Sequence, residues 1–220
     1  MKFENRAAAG EKLFKQFGDA WTDVSVVYGI ANGGVVVAEV IANALSKRLD
    51  VAYVSKLPVP WNQEQAFGVI TIGGEVLLDE GHYRQIGLSY MEVQKIARQR
   101  LSSLKRRYQN TLVEGDAKVD IKDCSVLVVD DGIATGMTAL GTIKWLKGAG
   151  AKEIFLATPI AHTHSKELIG DNATRFDSLV SSDIKVFAVS HYYREFEQVG
   201  DRQVRESIKN NRKLMQSLSE

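Results

Sequence analysis

One stretch constrains this chain more than any other: Val126-Leu127-Val128-Val129-Asp130-Asp131-Gly132-Ile133-Ala134-Thr135-Gly136-Met137-Thr138-Ala139-Leu140. An apolar, mostly β-branched run stops abruptly at two adjacent carboxylates. Small and hydroxyl residues follow, and then a helical pattern over residues 138–147. An unbroken apolar run of this kind suits a strand buried on both faces, as in a parallel α/β sheet. Ligands of such sheets bind beyond the carboxyl ends of the strands, where the two aspartates and the 135–138 turn would sit.

That placement has chemical consequences. Turn amides at a helix start form a phosphate cradle, with Gly136 permitting close approach and Thr135 and Thr138 adding hydroxyl donors. Two carboxylates at the strand end suit the cis-diol of a ribose, or a metal held partly by the ligand itself. Phosphate at one end and diol or metal at the other describes a phosphorylated sugar. Met137 follows Gly136 where a nucleotide-triphosphate P-loop would need lysine, so that class is excluded.

Residues 128–138 resemble the 5-phosphoribosyl-1-pyrophosphate (PRPP) motif of type I phosphoribosyltransferases: an apolar run, two acidic residues, a variable stretch and Thr-Gly-x-Thr. The alternative is a strand–turn–helix whose carboxylates merely cap the helix. The opening Phe3-Glu4-Asn5-Arg6-Ala7-Ala8-Ala9-Gly10, the Asn62/Glu64/Gly68 stretch and the 196–204 tail narrow the likeness further. They are similar to a group of predicted phosphoribosyltransferases whose substrates are mostly unassigned.

The 220 residues suffice for one well-buried domain. A net charge of +1 gives no global field favouring nucleic acid or a membrane surface. The lone cysteine, Cys124, excludes an internal disulfide and a multi-cysteine metal site. No apolar run approaches the roughly 18 residues of a membrane span, and the N-terminus lacks a signal-peptide core, so a cytoplasmic protein is expected.

Taken in order, residues 1–20 read as a helix and 24–30 as a strand. The strand ends in Ala31-Asn32-Gly33-Gly34, and a helix carrying Val36, Val37, Val40, Ile41, Ala44 and Leu45 follows. Strand–Gly-Gly–helix is again a place where backbone amides meet an anion. A second strand, 51–54, leads into 55–64, which holds Pro58, Pro60 and Trp61 and reads as a loop. Two alternating runs around Gly73-Gly74 then signal a hairpin over 66–78.

Ser89-Tyr90-Met91-Glu92 is a capping box that starts a helix running to about Tyr108. Val93, Ile96, Ala97, Leu101, Leu104 and Tyr108 form its apolar stripe. Lys95, Arg98, Arg100, Lys105, Arg106 and Arg107 read as a solvated face, since the balanced total charge argues against nucleic acid. Residues 110–125 are a polar connection to the central strand. After it come a strand at 153–157 and the loop histidines His162 and His164, which lack an identifiable third metal ligand. Ser165 caps a short helix through Ile169, a last strand spans 185–189, and a helix begins near Asp201.

The resemblance implies a fold and a set of roles. The fold is a single α/β domain over 1–220, with a mainly parallel, Rossmann-like core sheet (about 21–190) flanked by helices. A β-ribbon lid at 66–78 and a small hood from about 1–20 and 190–220 complete it. Ala134, Thr135, Gly136, Met137 and Thr138 would hold the 5-phosphate. Asp130 and Asp131 would hold the ribose hydroxyls and, through PRPP and water, Mg²⁺. Ala31, Asn32, Gly33 and Gly34 would form the pyrophosphate loop, often with a cis peptide, here Ala31–Asn32. Lys56, at the carboxyl end of its strand, would neutralise departing pyrophosphate or else be a solvated lysine at a loop start. The hood would supply Tyr192, Tyr193 and Phe196 to a planar base, or these would simply pack hood against core.

The implied activity is transfer of 5-phosphoribosyl from PRPP to a nitrogenous base with release of pyrophosphate, by a homodimer in nucleotide salvage or related metabolism. A PRPP-sensing nucleic-acid regulator and a non-catalytic sugar-phosphate-binding module are the alternatives. Two departures bear on this. Alanine at 134 replaces the aspartate that handles a purine N7 proton in the 6-oxopurine branch, which disfavours hypoxanthine and guanine. Asn32 stands where a basic residue often helps to hold pyrophosphate.

Overall fold

The computed structural model describes residues 2–113 and 119–218. Among these residues, eight strands divide between two sheets. The larger contains β1 (Val26–Ile30), β2 (Arg48–Ala52), β6 (Ser125–Val129), β7 (Glu153–His162) and β8 (Arg175–Ser182) in the order β2-β1-β6-β7-β8. All four of its strand pairs are parallel, including Val26 opposite Val126 and Val128 opposite Leu156. Val126, Leu127, Val128 and Val129 are fully buried because β6 is the central strand, with helices over both faces.

The longer helices are α1 (Arg6–Phe17), α2 (Gly33–Ala44), α4 (Tyr90–Thr111), α5 (Met137–Gly148) and α7 (Asp201–Ser217), with the short α3 (Glu80–Ile86) and α6 (Thr163–Ile169) in connections. Asn5 caps α1 by accepting from the Ala8 amide, and a 3-10 turn over Gly18–Trp21 finishes the expected N-terminal helix. The Ser89/Glu92 capping box forms in full and starts α4, which ends three residues beyond Tyr108. Part of the polar connection expected over 110–125, residues 114–118, lies outside the described residues.

Three expectations are corrected. Residues 55–64 are not a loop: β3 (Val54–Val59), β4 (Asn62–Thr71) and β5 (Val76–Leu78) make a three-stranded antiparallel ribbon. Proline is tolerated there because β3 is an edge strand and the register shifts at Leu57/Pro58 and Pro58/Val59, so no ladder hydrogen bond is lost. The second core strand is Arg48–Ala52 rather than 51–54, since Val54 already belongs to the ribbon. The last core strand is β8, not 185–189. Val186 is 81% exposed, whereas the polar-looking Arg175–Ser182 run forms the sheet edge. Its buried Asp177 accepts from Trp21 Nε1 at 3.0 Å and from Arg175, which gives a carboxylate inside a strand its partners.

The segment at Phe3 meets residues 192–194 beside the sheet's carboxyl edge. Phe3 bridges to Tyr193, with Phe3 N donating to Tyr192 O at 2.8 Å and Arg194 N to Phe3 O at 2.9 Å. Phe3, Ala9 and Tyr193 form a small apolar cluster there, separate from the cores on the two faces of the sheet.

Candidate functional site

Parallel strands deliver their following loops to one edge, and two of those loops carry the residues singled out above. β1 runs into residues 31–34, whose Ala31–Asn32 peptide is cis as expected, and then into α2. β6 runs into Asp130 and Asp131, and on through residues 132–136 into α5. Gly136 caps α5 at φ +84°, a left-handed conformation that glycine adopts without penalty. A Cβ there would lie 3.1 Å from Ser165 Cβ, so the 134–138 turn packs against α6. Ala134 and Thr135 remain exposed, and Met137 and Thr138 are half-buried.

The glycines of the 31–34 loop lie directly on the acid pair. A Cβ on Gly34 would come 2.8 Å from Val129 O and 2.9 Å from Asp130 Cα. A Cβ on Gly33 would overlap Asp131 Oδ2 and come 2.8 Å from Arg6 Nε. Two strand-end loops nearly a hundred residues apart in sequence thus share one wall, and only hydrogen fits between them.

The acid pair is asymmetric. Asp131 receives Arg6 Nε at 2.6 Å, with the two side chains 15% and 10% exposed. Arg6 also donates to Glu197 O at 2.7 Å and lies over the Phe196 ring, 3.9 Å from its centroid. Asp130 accepts the Asp131 amide at 2.9 Å. Burial, and then the negative charge of Asp131, hold its carboxyl well above the usual carboxylate range. The pair therefore sets a buried carboxyl, whose charged form is disfavoured, beside one bound to a guanidinium.

Tyr193 donates to the main-chain oxygen of Asp131 at 2.6 Å, and its ring is buried against Phe3 and Phe196. Burial raises its hydroxyl pKa, which keeps the donor protonated. Of the aromatic trio, Tyr193 and Phe196 thus brace Asp131 and Arg6. Tyr192 is half-buried, donates to Ser182 Oγ at 2.7 Å and packs on Phe187, centroids 5.6 Å apart. Phe187 meets the His162 ring edge-on at 5.5 Å. His162 Nδ1 accepts the His164 amide at 3.2 Å, capping α6 in place of the expected Ser165.

Lys56 stands apart from this cluster. It is exposed on β3, opposite Val69, and its side chain makes no hydrogen bond or ion pair among the described residues. Asn32 is fully engaged: Nδ2 donates to Val199 O at 2.7 Å, and Oδ1 accepts from Arg107 Nη2 at 2.6 Å. Sequence reasoning missed both arginines. Arg6 has only its place in the Phe3–Gly10 opening to mark it, and Arg107 sits among six similar charges. Among the described residues no group of three or more metal-ligating side chains forms, and no helix is long and apolar enough to cross a membrane.

A protein of Mycobacterium tuberculosis, provisionally named a phosphoribosyl transferase, is 32% identical over 204 residues, covering 92% of this chain. The chain spans only 45% of that relative's length. The crystal structure of TT1426 from Thermus thermophilus superposes with a TM-score of 0.78 at 29% identity, covering 96% of this chain and 99% of that one. A Neisseria gonorrhoeae protein crystallised with ppGpp shares the fold at 12% identity and a TM-score of 0.51, covering 99% and 98%. The model of the phosphoribosyl transferase domain family matches residues 2–195, which takes in both strand-end loops, the acid pair and the 134–138 turn. On that match the chain belongs to the phosphoribosyl transferase domain family.

Proposed function

We propose that the protein transfers 5-phosphoribosyl from PRPP to a nitrogenous base and releases pyrophosphate. The observation that carries this reading is the contact of Gly33 and Gly34 with Asp131 and Asp130. It sets the 31–34 loop and the acid pair side by side, with the 134–138 turn following in the chain, which supports reading them as anion loop, diol partner and phosphate cradle. The 5-phosphate rests on the amides and hydroxyls of residues 134–138, and the ribose hydroxyls on Asp130 and Asp131. The pyrophosphate rests on the amides of 31–34.

Transfer then needs positioning and electrostatics. As the bond from C1 to pyrophosphate breaks, positive charge develops on the ribose ring. The base nitrogen attacks from the opposite face, with the ribose held in line by the acid pair. Asp130 and Asp131 take the two ribose hydroxyls. Tyr193 and Arg6 hold Asp131 in place. Adjacent carboxylate oxygens are hard donors and fit Mg²⁺, which keeps water and ligand oxygens in its shell. Bound there with PRPP, Mg²⁺ would neutralise polyphosphate charge. Phe187 and Tyr192, half-buried beside His162, offer a planar base a surface, and Lys56 would come to the cleft with the ribbon.

The test is a screen of nucleobases with PRPP and Mg²⁺, following pyrophosphate release. A parallel arm measures RNA and DNA binding with and without PRPP. Release that depends on one base, and is lost in Asp131→Asn, supports the transferase. No release with any base, together with PRPP-dependent nucleic-acid binding, overturns it in favour of a regulator.

A further inference from the structure

The 31–34 loop carries no cation of its own, because residue 32 is asparagine. What surrounds that asparagine is more specific than packing requires. Its Nδ2 donates to Val199 O and, at 3.3 Å, to Asp201 Oδ1; its Oδ1 accepts from Arg107 Nη2. Arg107 also grips Asp201 with a fork, Nη2 to Oδ1 at 2.6 Å and Nε to Oδ2 at 3.0 Å. The guanidinium lies over the Tyr53 ring, 4.8 Å from its centroid. Three separate elements therefore meet on one side chain of the loop: α4 through Arg107, α7 through Asp201, and the segment entering α7 through Val199.

The fork sets the kind of role that follows. Asp201 cancels most of the charge of Arg107, so simple attraction of an anion is not what the group adds. What it adds is orientation: a planar guanidinium held on two sides can hold a third partner, Asn32, in a single rotamer. The pair remains open to solvent, with side chains 34% and 41% exposed, so it is no buried strut of the core. Each partner favours the charged form of the other: Asp201 is held below the usual carboxylate range by Arg107, and the guanidinium is raised by Asp201.

We propose that Arg107 is a positioning residue for the pyrophosphate end of the cleft. Clamped by Asp201, it fixes Asn32 and through it the amides of the 31–34 loop in the shape an anion needs. This rests on the cleft assignment under Proposed function. It goes further by giving a helix outside the loop control over one end of the cleft and not the other.

The test uses two probes by calorimetry with Mg²⁺: inorganic pyrophosphate for the 31–34 loop and ribose 5-phosphate for the 134–138 cradle. In Arg107→Gln, pyrophosphate affinity is expected to fall at least tenfold while ribose 5-phosphate stays within twofold. Arg107→Lys keeps the charge but cannot fork, so it should recover only part of the loss. Asn32→Ala should match Arg107→Gln, and the double variant should lose no more than either single one, because both cut the same link. Equal loss for both probes, no loss, full recovery by lysine or additive losses would each overturn the proposal. Wild-type protein that binds ribose 5-phosphate but not pyrophosphate overturns it alone. Wild-type protein that binds neither removes the cleft assignment as well.

Discussion

Substituting Gly33 and Gly34 by alanine separates two ways in which one added carbon can fail. At Gly34 the new Cβ would lie 2.8 Å from Val129 O and 2.9 Å from Asp130 Cα, both main-chain atoms at the end of the central strand. Backbone there cannot turn aside, so the strand end or the loop must shift. Overpacking of this kind costs about 1–3 kcal/mol. For a chain of this length each kcal/mol moves the unfolding midpoint by roughly 2–4 °C, so Gly34→Ala should lower Tm by about 2–12 °C. At Gly33 the Cβ would meet the Asp131 carboxylate at Oδ2 and the tip of Arg6. Those are side-chain ends that can swing away, at the expense of their 2.6 Å contact. Gly33→Ala should therefore cost less stability than Gly34→Ala while lowering PRPP affinity about tenfold or more. Gly148→Ala, with nothing within 4 Å, is the control and should gain about 0.5–1 kcal/mol. The assay is thermal unfolding of the three variants beside calorimetric titration with PRPP. Wild-type Tm and wild-type affinity in both loop variants would refute the packing of loop on acid pair.

Three further predictions follow from the same geometry. Arg6→Gln leaves a largely buried Asp131 carboxylate without its partner and should destabilise by about 3–5 kcal/mol; Asp131→Asn in that background should restore most of the loss in urea unfolding. Asp130 has a folded pKa raised above its unfolded value, so its contribution is full below the unfolded value and lost as pH rises through the folded one. Asp130→Asn should thus match wild type in Tm near pH 4 and exceed it near pH 8, by on the order of 2–4 °C for each kcal/mol gained. Tyr193→Phe removes one buried hydrogen bond, to Asp131 O, and should cost about 1–2 kcal/mol by urea unfolding; unchanged stability would show that the bond contributes nothing.

The site's main-chain parts were legible because they depend on local sequence. An apolar run that ends in Asp130-Asp131, and glycine at 33, 34 and 136, each dictate backbone shape within a few residues. The side chains that complete the site come from distant positions. Arg6 reaches Asp131 across 125 residues and Arg107 reaches Asn32 across 75, and nothing local marks either. The misread strands have a related cause. Burial, not composition, decides that Arg175–Ser182 pairs with β7 while Lys185 to Val189 stays exposed or half-buried. Position at a sheet edge decides that Pro58 can sit within a strand.

The central claim is that the 31–34 loop, the acid pair and the 134–138 turn are one binding site for PRPP. Calorimetric titration of PRPP with Mg²⁺ into wild-type protein and Asp131→Asn tests it most directly. A hydrogen bond to a charged group contributes about 1.5–3 kcal/mol, so the variant should bind roughly 10- to 150-fold more weakly at unchanged stoichiometry. Equal affinity in the two proteins, or no binding by the wild type, would contradict the account.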